Sequence, residues 1–189
     1  MILYIVRHGE TDFNAQGRYC GSTDIPLNQK GIEQAKQLAY RLAEIDFDII
    51  VTSPLMRARQ TAEIISEFSN IPVIVSNEFK ERSSGVYEGL TAEEIKEKYP
   101  DLWERRCTRQ VDDAPTNGET IRQFDTRIVE ALLKLEKEYS DKTVLLVTHG
   151  FVSRSINRHY KNLSYDEMHN FPLGNCEVVK YKSEEKNLC

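Results

Sequence analysis

The sequence predicts an α/β fold, a three-layer sandwich in which a mainly parallel central sheet is flanked by helices. Three observations lead there. The apolar runs at residues 2–6, 49–51 and 144–148 are continuous rather than alternating, as in strands covered on both faces. Strand and helix patterns alternate along the chain, which builds a parallel sheet through helical crossovers. Two of the strands finish in the same dipeptide, His8-Gly9 and His149-Gly150. They do so at the carboxyl edge, where open α/β sheets bind ligands.

Each element has its own warrant. The first strand runs into Arg7-His8-Gly9-Glu10-Thr11, where glycine permits a sharp turn without Cβ strain. A polar loop with Gly17, Gly21 and Pro26 follows. The spacing predicts a helix from about 28 to 44, with Ile32, Ala35, Leu38, Ala39 and Leu42 on one face. After the second strand, Ser53-Pro54 reads as an N-cap with proline at the first helical position. That helix carries Met56, Arg57, Ala58, Thr61, Ala62 and Ile65. Val73-Ile74-Val75 is a third strand. Residues 77–89 are loop-like, and Thr91 with Glu94 forms a capping-box pattern for a helix ending before Pro100. Leu102-Trp103 adds a helical turn, and the polar, proline-bearing stretch 110–118 reads as a lid or surface loop. An amphipathic helix spans about 120–139, with Ile121, Phe124, Ile128, Leu132 and Leu135 at helical spacing. The fourth strand, 144–148, leads into a helix from about Phe151. A last strand at 177–181 alternates apolar and polar, as an exposed edge does. The whole chain, 1–189, is expected to form one domain, with a cap around 77–118.

Composition narrows the function classes. The formal net charge of −5 argues against broad electrostatic capture of nucleic acid, while leaving room for a local basic pocket. No apolar run approaches the roughly 20 residues that cross a bilayer. Arg7 interrupts the apolar start too early for a signal-peptide core, so the cytoplasm is the expected compartment. Cys20, Cys107, Cys176 and Cys189 fall in no metal-type spacing and read as free thiols. Cys189 lacks the following residues a prenylation box requires. The chain length leaves open whether the protein works alone or as a homodimer.

The strand ends carry the chemistry. His8, His149 and Ser53 each follow a strand, and Arg57 lies on the first turn of the helix after Ser53. A helix N-terminus bearing an arginine favours a bound anion, and the planar fork of Arg7 matches phosphate oxygens. Two arginines around two imidazoles suit a doubly charged tetrahedral anion. Imidazole, with an unperturbed pKa of about 6.5, is substantially neutral near pH 7 and can attack phosphorus. Arg7, Arg57 and a protonated His149 would neutralise the equatorial oxygens. A carboxylic acid would protonate the leaving alkoxide. Glu78, Glu81 and Glu88 all compete for that task on position alone. No HExxH-type spacing occurs, and no cofactor or metal is expected. His159 and His169 lack arginine-bearing company and read as structural or surface residues.

Arg7-His8-Gly9-Glu10-Thr11 with Asn14 resembles the signature of the histidine phosphatase superfamily, the phosphoglycerate mutase-like family. Residues 53–62, Ser-Pro-Leu-Met-Arg-Ala-Arg-Gln-Thr-Ala, look like its second motif. Lys80-Glu81 with Gly85-Val86-Tyr87-Glu88-Gly89 is similar to its acid-bearing loop, and Thr148-His149-Gly150 to its last motif. The resemblance implies a phosphoglycerate mutase-like fold and a metal-independent phosphomonoester hydrolysis through a phosphohistidine. It implies His8 as nucleophile and Glu81 as proton donor and later base. Arg7, Arg57 and His149 would grip the phosphoryl oxygens with Asn14 assisting, and Glu10 would orient loop groups. Cys20, Gly21 and Glu88 fall in its substrate-binding loops. The substrate would be a small phosphorylated metabolite, as for broad-specificity or α-ribazole phosphatases.

The family also contains mutases and members without catalysis. Cys20-Gly21-Ser22 stands where mutases have Thr-Gly-Trp, and the loop 85–89 reads as the phosphatase form. Arg105-Arg106 imitates the paired arginines of mutases, but Cys107-Thr108-Arg109 follows and the long mutase insertion is missing. Hydrolysis is therefore the favoured reading. Tyr19, Tyr87, Trp103 and the Arg105, Arg106, Arg109 cluster either line a pocket mouth or form a solvated face.

Overall fold

The computed structural model describes residues 1–183. Five strands form one sheet in the order β3-β2-β4-β1-β5. They are β1 (Ile2–Arg7), β2 (Ile49–Thr52), β3 (Val73–Val75), β4 (Thr143–Thr148) and β5 (Val178–Lys182). The first four are mutually parallel, and β5 closes the edge antiparallel to β1. Between the strands lie α1 (Asp12–Ala15), α2 (Gln29–Leu42) and α3 (Met56–Ser69). Then come α4 (Ala92–Lys98), α5 (Pro100–Glu104), α6 (Ile121–Glu138), α7 (Gly150–Lys161) and α8 (Tyr165–Met168). Single 3-10 turns occupy Asn77–Phe79 and Gly85–Tyr87.

Strand alternation sorts the core into two layers, because successive side chains leave opposite faces. Leu3, Ile5, Val144 and Leu146 meet Phe124, Ile128 and Leu132 of α6 and Val152 and Ile156 of α7. Val6, Ile50, Leu145 and Val147 meet Ala35 and Leu38 of α2 and Ala58, Ala62 and Ile65 of α3. Both faces are thus covered, which is why these strands read as unbroken apolar runs. A third cluster, Tyr87, Ile95 and Cys107 with Tyr19, Leu90, Tyr99 and Trp103 around it, knits α4, α5 and their loops into a layer above the sheet's carboxyl edge.

Caps account for the helix starts. Asn28 accepts from Gly31 N–H before α2. Thr91 with Glu94 and Thr120 with Gln123 form capping boxes for α4 and α6. The reading of Ser53-Pro54 as a cap is corrected. The helix α3 begins at Met56, and its N-cap Leu55 offers no side-chain bond. Asp24 instead accepts from Met56 N–H at 2.6 Å, and the Ser53 hydroxyl, which accepts from Leu55 N–H at 3.3 Å, also meets His149 Nε2 at 2.7 Å.

Register brings the chemistry together. Arg7 lies opposite Thr148, and Thr52 opposite Val147. His8 and His149 therefore leave neighbouring strands at one level, and Ser53 leaves β2 one residue lower, level with Thr148. The turn after β1 is held by Gly31, which approaches so closely that a Cβ there would overlap the Glu10 carbonyl. Ordinarily, glycine to alanine inside a helix stabilises by about 1 kcal/mol. Here overpacking costs about 1–3 kcal/mol, so Gly31→Ala should lower the denaturation midpoint. A raised midpoint in urea melts would contradict the close crossing.

Candidate active site

His8 and His149 are buried, with ring centroids 5.2 Å apart. His8 Nδ1 sits 2.7 Å from the Gly9 carbonyl, which can only accept. Arg57 Nε–H, which can only donate, reaches His8 Nε2 at 3.2 Å. Both partners select one tautomer, with the proton on Nδ1 and the lone pair on Nε2. Burial, then the charges of Arg57 and Arg7, push the His8 pKa well below 6.5. The imidazole is therefore neutral at neutral pH, as a nitrogen nucleophile must be.

His149 is the N-cap residue of α7, and its Nε2 contacts the Ser53 hydroxyl. Its Nδ1 is buried without a partner. Burial, then Arg57, His8 and Arg7, depress its pKa well below 6.5. The expected imidazolium is thus replaced in the free site by a neutral ring.

Arg57 is wholly buried. It donates to the carbonyls of Thr23 (2.7 Å) and Gly21 (2.8 Å) as well as to His8, so its position on α3 locks the loop after α1 over the histidine. Arg7 donates from Nη1 to Leu173 O at 2.9 Å, while its Nε is buried and unpartnered. Glu81 accepts from the backbone N–H groups of Phe151 (3.1 Å) and Arg82 (3.0 Å). The first of these belongs to the N-terminal turn of α7.

A cavity of about 350 Å³ opens over these groups, and Arg7, His8, Asn14, Cys20, Gly21, Arg57 and Glu81 all line it. Asn14 is held by Thr11 N–H and donates to Cys20 Sγ at 3.4 Å. Glu10 stands aside, bonded to Asn28 and Lys30. Glu88 does not line the cavity. Its carboxylate accepts from Ser22, Thr23 and Ser84, tying two loops together. Of the aromatic and arginine residues read as a pocket mouth, Tyr19 and Arg109 line the cavity, whereas Arg105 pairs with Asp113 and Trp103 packs under Lys96.

Five contributors had no sequence signal. Asn175 donates to the His8 carbonyl at 2.8 Å, and Cys176 N–H to the Arg7 carbonyl at 2.9 Å, so the segment before β5 buttresses the nucleophile strand. Arg82 and Arg154 line the cavity, and so does half-buried His169.

Fold and site define a phosphoryl-transfer protein built on paired histidines at a parallel sheet's edge. The chain belongs to the histidine phosphatase superfamily, whose branch 1 model matches residues 3–188. It is a phosphatase of that family. Over 146 residues it is 42% identical to the uncharacterized phosphatase PhoE of Bacillus subtilis, covering 77% of this chain and 70% of that protein. It is 34% identical over 154 residues to phosphoserine phosphatase 1 of Hydrogenobacter thermophilus, covering 82% and 73%. The α-ribazole phosphatase structure from Shigella flexneri superposes with a TM-score of 0.91 at 27% identity, covering 98% of this chain and 92% of that one.

The buried neutral histidines make stability depend on pH. In the unfolded chain both titrate near 6.5. Their folded values are lower, so the unfolded state binds more protons below pH 6.5. Stability is then lost as pH falls toward the folded values, by about 1.4 kcal/mol per unit per histidine. Urea midpoints in phosphate-free buffer should fall between pH 7 and 5.5, and less steeply for His149→Asn. Identical slopes would contradict the depressed pKa.

Proposed function

We propose that the chain hydrolyses a small phosphomonoester in two displacements at phosphorus, with His8 Nε2 as the phosphoryl acceptor. The observation that carries this reading is the pinned tautomer, with the Gly9 carbonyl on Nδ1–H and Arg57 beside Nε2.

In the first step the Nε2 lone pair leaves the Arg57 Nε–H and attacks phosphorus as the ester P–O bond breaks. Protonated Glu81 gives its proton to the leaving oxygen. The ring gains positive charge, which the Gly9 carbonyl stabilises through Nδ1–H. Arg7 and Arg57, which line the cavity, and His149, whose Nδ1 is buried without a partner, are the donors assigned to the phosphoryl oxygens. A Ser53 hydroxyl that donates to His149 Nε2 leaves the proton on Nδ1, so a neutral ring serves there as donor. Such preorganised donors typically contribute more than any other single effect to stabilising a transition state. In the second step the Glu81 carboxylate takes a proton from water, the oxygen attacks phosphorus, and the P–N bond breaks. Neutral His8 and inorganic phosphate result. Asn14, Cys20 and Gly21 border the phosphoryl end, and the layer formed by residues 77–118 caps the leaving-group side.

Hydrolysis is favoured over phosphoryl return to a second hydroxyl. The paired arginines that a mutase would close over substrate are diverted here, since neither Arg105 nor Arg106 lines the cavity. The substrates for which the relatives are named, phosphoserine and α-ribazole phosphate, share the phosphomonoester and differ in the leaving group.

His8→Ala should reduce kcat on p-nitrophenyl phosphate at least a thousandfold; activity within tenfold of wild type would remove His8 from the covalent role. Glu81→Gln should slow alkyl phosphates at least tenfold more than p-nitrophenyl phosphate, whose leaving group needs little protonation. Equal losses on both would contradict proton donation by Glu81.

A further inference from the structure

Glu81 is carried by a stretch without regular structure. Residues 80–84 belong to neither helix nor strand, so no backbone ladder fixes where the acid points. The carbonyls around it are held from elsewhere. That of Phe79 accepts from the Thr148 hydroxyl at 3.3 Å, and that of Ser83 from Glu119 N–H at 3.0 Å. The carbonyls of Glu78 and Lys80 both accept from Nη1 of Arg127, the second at 3.0 Å.

Arg127 lies two turns into α6, and its other donors are committed as well. Nε and Nη2 fork onto the Glu119 carboxylate at 3.2 and 2.9 Å. The guanidinium carbon lies 5.1 Å from the Phe124 ring centroid. A paired fork of this kind fixes the guanidinium plane, and Nη1 is thereby aimed at the acid loop. The Glu119 backbone completes the frame, since its carbonyl accepts from Arg82 Nε at 2.8 Å. Of the carbonyls at 78, 79, 80 and 83, three are thus held by α6 and the residue before its cap. The two segments run in close contact, for a Cβ on Gly85 would overlap the Thr116 carbonyl.

Neither Arg127 nor Glu119 lines the cavity, so the task left to the pair is placement. We propose that the Arg127–Glu119 ion pair positions the Glu81 acid, acting through the backbone of residues 78–83. This rests on the proton-donor reading of Glu81. A carboxyl must come within hydrogen-bond reach of the leaving oxygen, and a displacement of about 1 Å can slow a reaction about a hundredfold. Loosening the pair therefore withdraws proton donation, while Arg7 and Arg57 keep their places on β1 and α3.

Arg127→Met should slow hydrolysis of glycerol 3-phosphate at least tenfold more than that of p-nitrophenyl phosphate, through kcat rather than KM. Arg127→Lys keeps the charge without the fork. It should show the same preference to a smaller degree, and it stands in should Arg127→Met not fold. In the Glu81→Gln background, adding Arg127→Met should slow glycerol 3-phosphate less than threefold, because the group it positions is already gone. Equal losses on both esters, or a further tenfold loss behind Glu81→Gln, would overturn the proposal.

Amide exchange followed by NMR reads the placement without turnover. Phe151 N–H donates to the Glu81 carboxylate at 3.1 Å, whereas Ser153 N–H bonds to the His149 carbonyl at 3.0 Å. In Arg127→Met the Phe151 amide should exchange at least tenfold faster than in wild type, and the Ser153 amide at an unchanged rate. If Glu81→Gln shows no leaving-group preference, the proton-donor reading fails, while the exchange result still decides whether the pair places Glu81. No change at Phe151, or equal acceleration at both amides, would contradict that placement.

Discussion

A guanidinium fully removed from solvent lies against a neutral imidazole, and the rest of the site follows from that contact. Arg57 has no carboxylate partner among the described residues. Its charge is satisfied by the carbonyls of Gly21 and Thr23 and by the His8 lone pair. Burying a cation this way is unfavourable unless good hydrogen bonds surround it, and those bonds dictate where the loop after α1 must run. Burial first, and then this same charge, hold both histidines neutral. One residue thus orders the loop and keeps the nucleophile unprotonated, and its remaining donors attract a dianion.

The sheet makes this contact reproducible. His8 and His149 leave adjacent parallel strands at matched register, with Ser53 one residue lower on β2. Thr61, one turn beyond Arg57 on α3, accepts from Gly9 N–H at 3.1 Å and donates to the Arg57 carbonyl at 2.8 Å. Strand end and helix start are therefore coupled by a single hydroxyl. Glu88 does the equivalent for the upper loops, its carboxylate joining the 22–23 turn to the 83–84 turn. A carboxylate on which so many donors converge is held below the usual glutamate range, although burial opposes the shift. It is an organiser of the cavity wall rather than part of its lining.

Periodicity and strand-end motifs made the sandwich, its long helices and the paired histidines legible from sequence, because those signals are local. The apolar runs at 2–6 and 144–148 needed only coverage on both faces to appear as they do. What was not legible comes from distant segments meeting. Ser53 has the local pattern of a helix cap, but the His149 ring lies 2.7 Å from its hydroxyl, and helix α3 starts later. His169 follows a four-residue helix in a polar stretch, with nothing in its neighbours to announce that Arg82 and Arg154 converge on it. Asn175 and Leu173 precede an edge strand, yet they brace His8 and Arg7 from behind. Of the two alternatives open for Arg105 and Arg106, the solvated face is the one they form, the side chains turning outward to solvent and to Asp113.

The central claim is that His8 reacts through Nε2 because the Gly9 carbonyl holds its other nitrogen protonated. The most direct measurement is to quench Glu81→Gln during turnover of p-nitrophenyl phosphate in strong base and identify the phosphohistidine isomer by NMR. The predicted result is one phosphoryl group per chain, on Nε2 of His8. Phosphate on Nδ1, or on another residue, would contradict it.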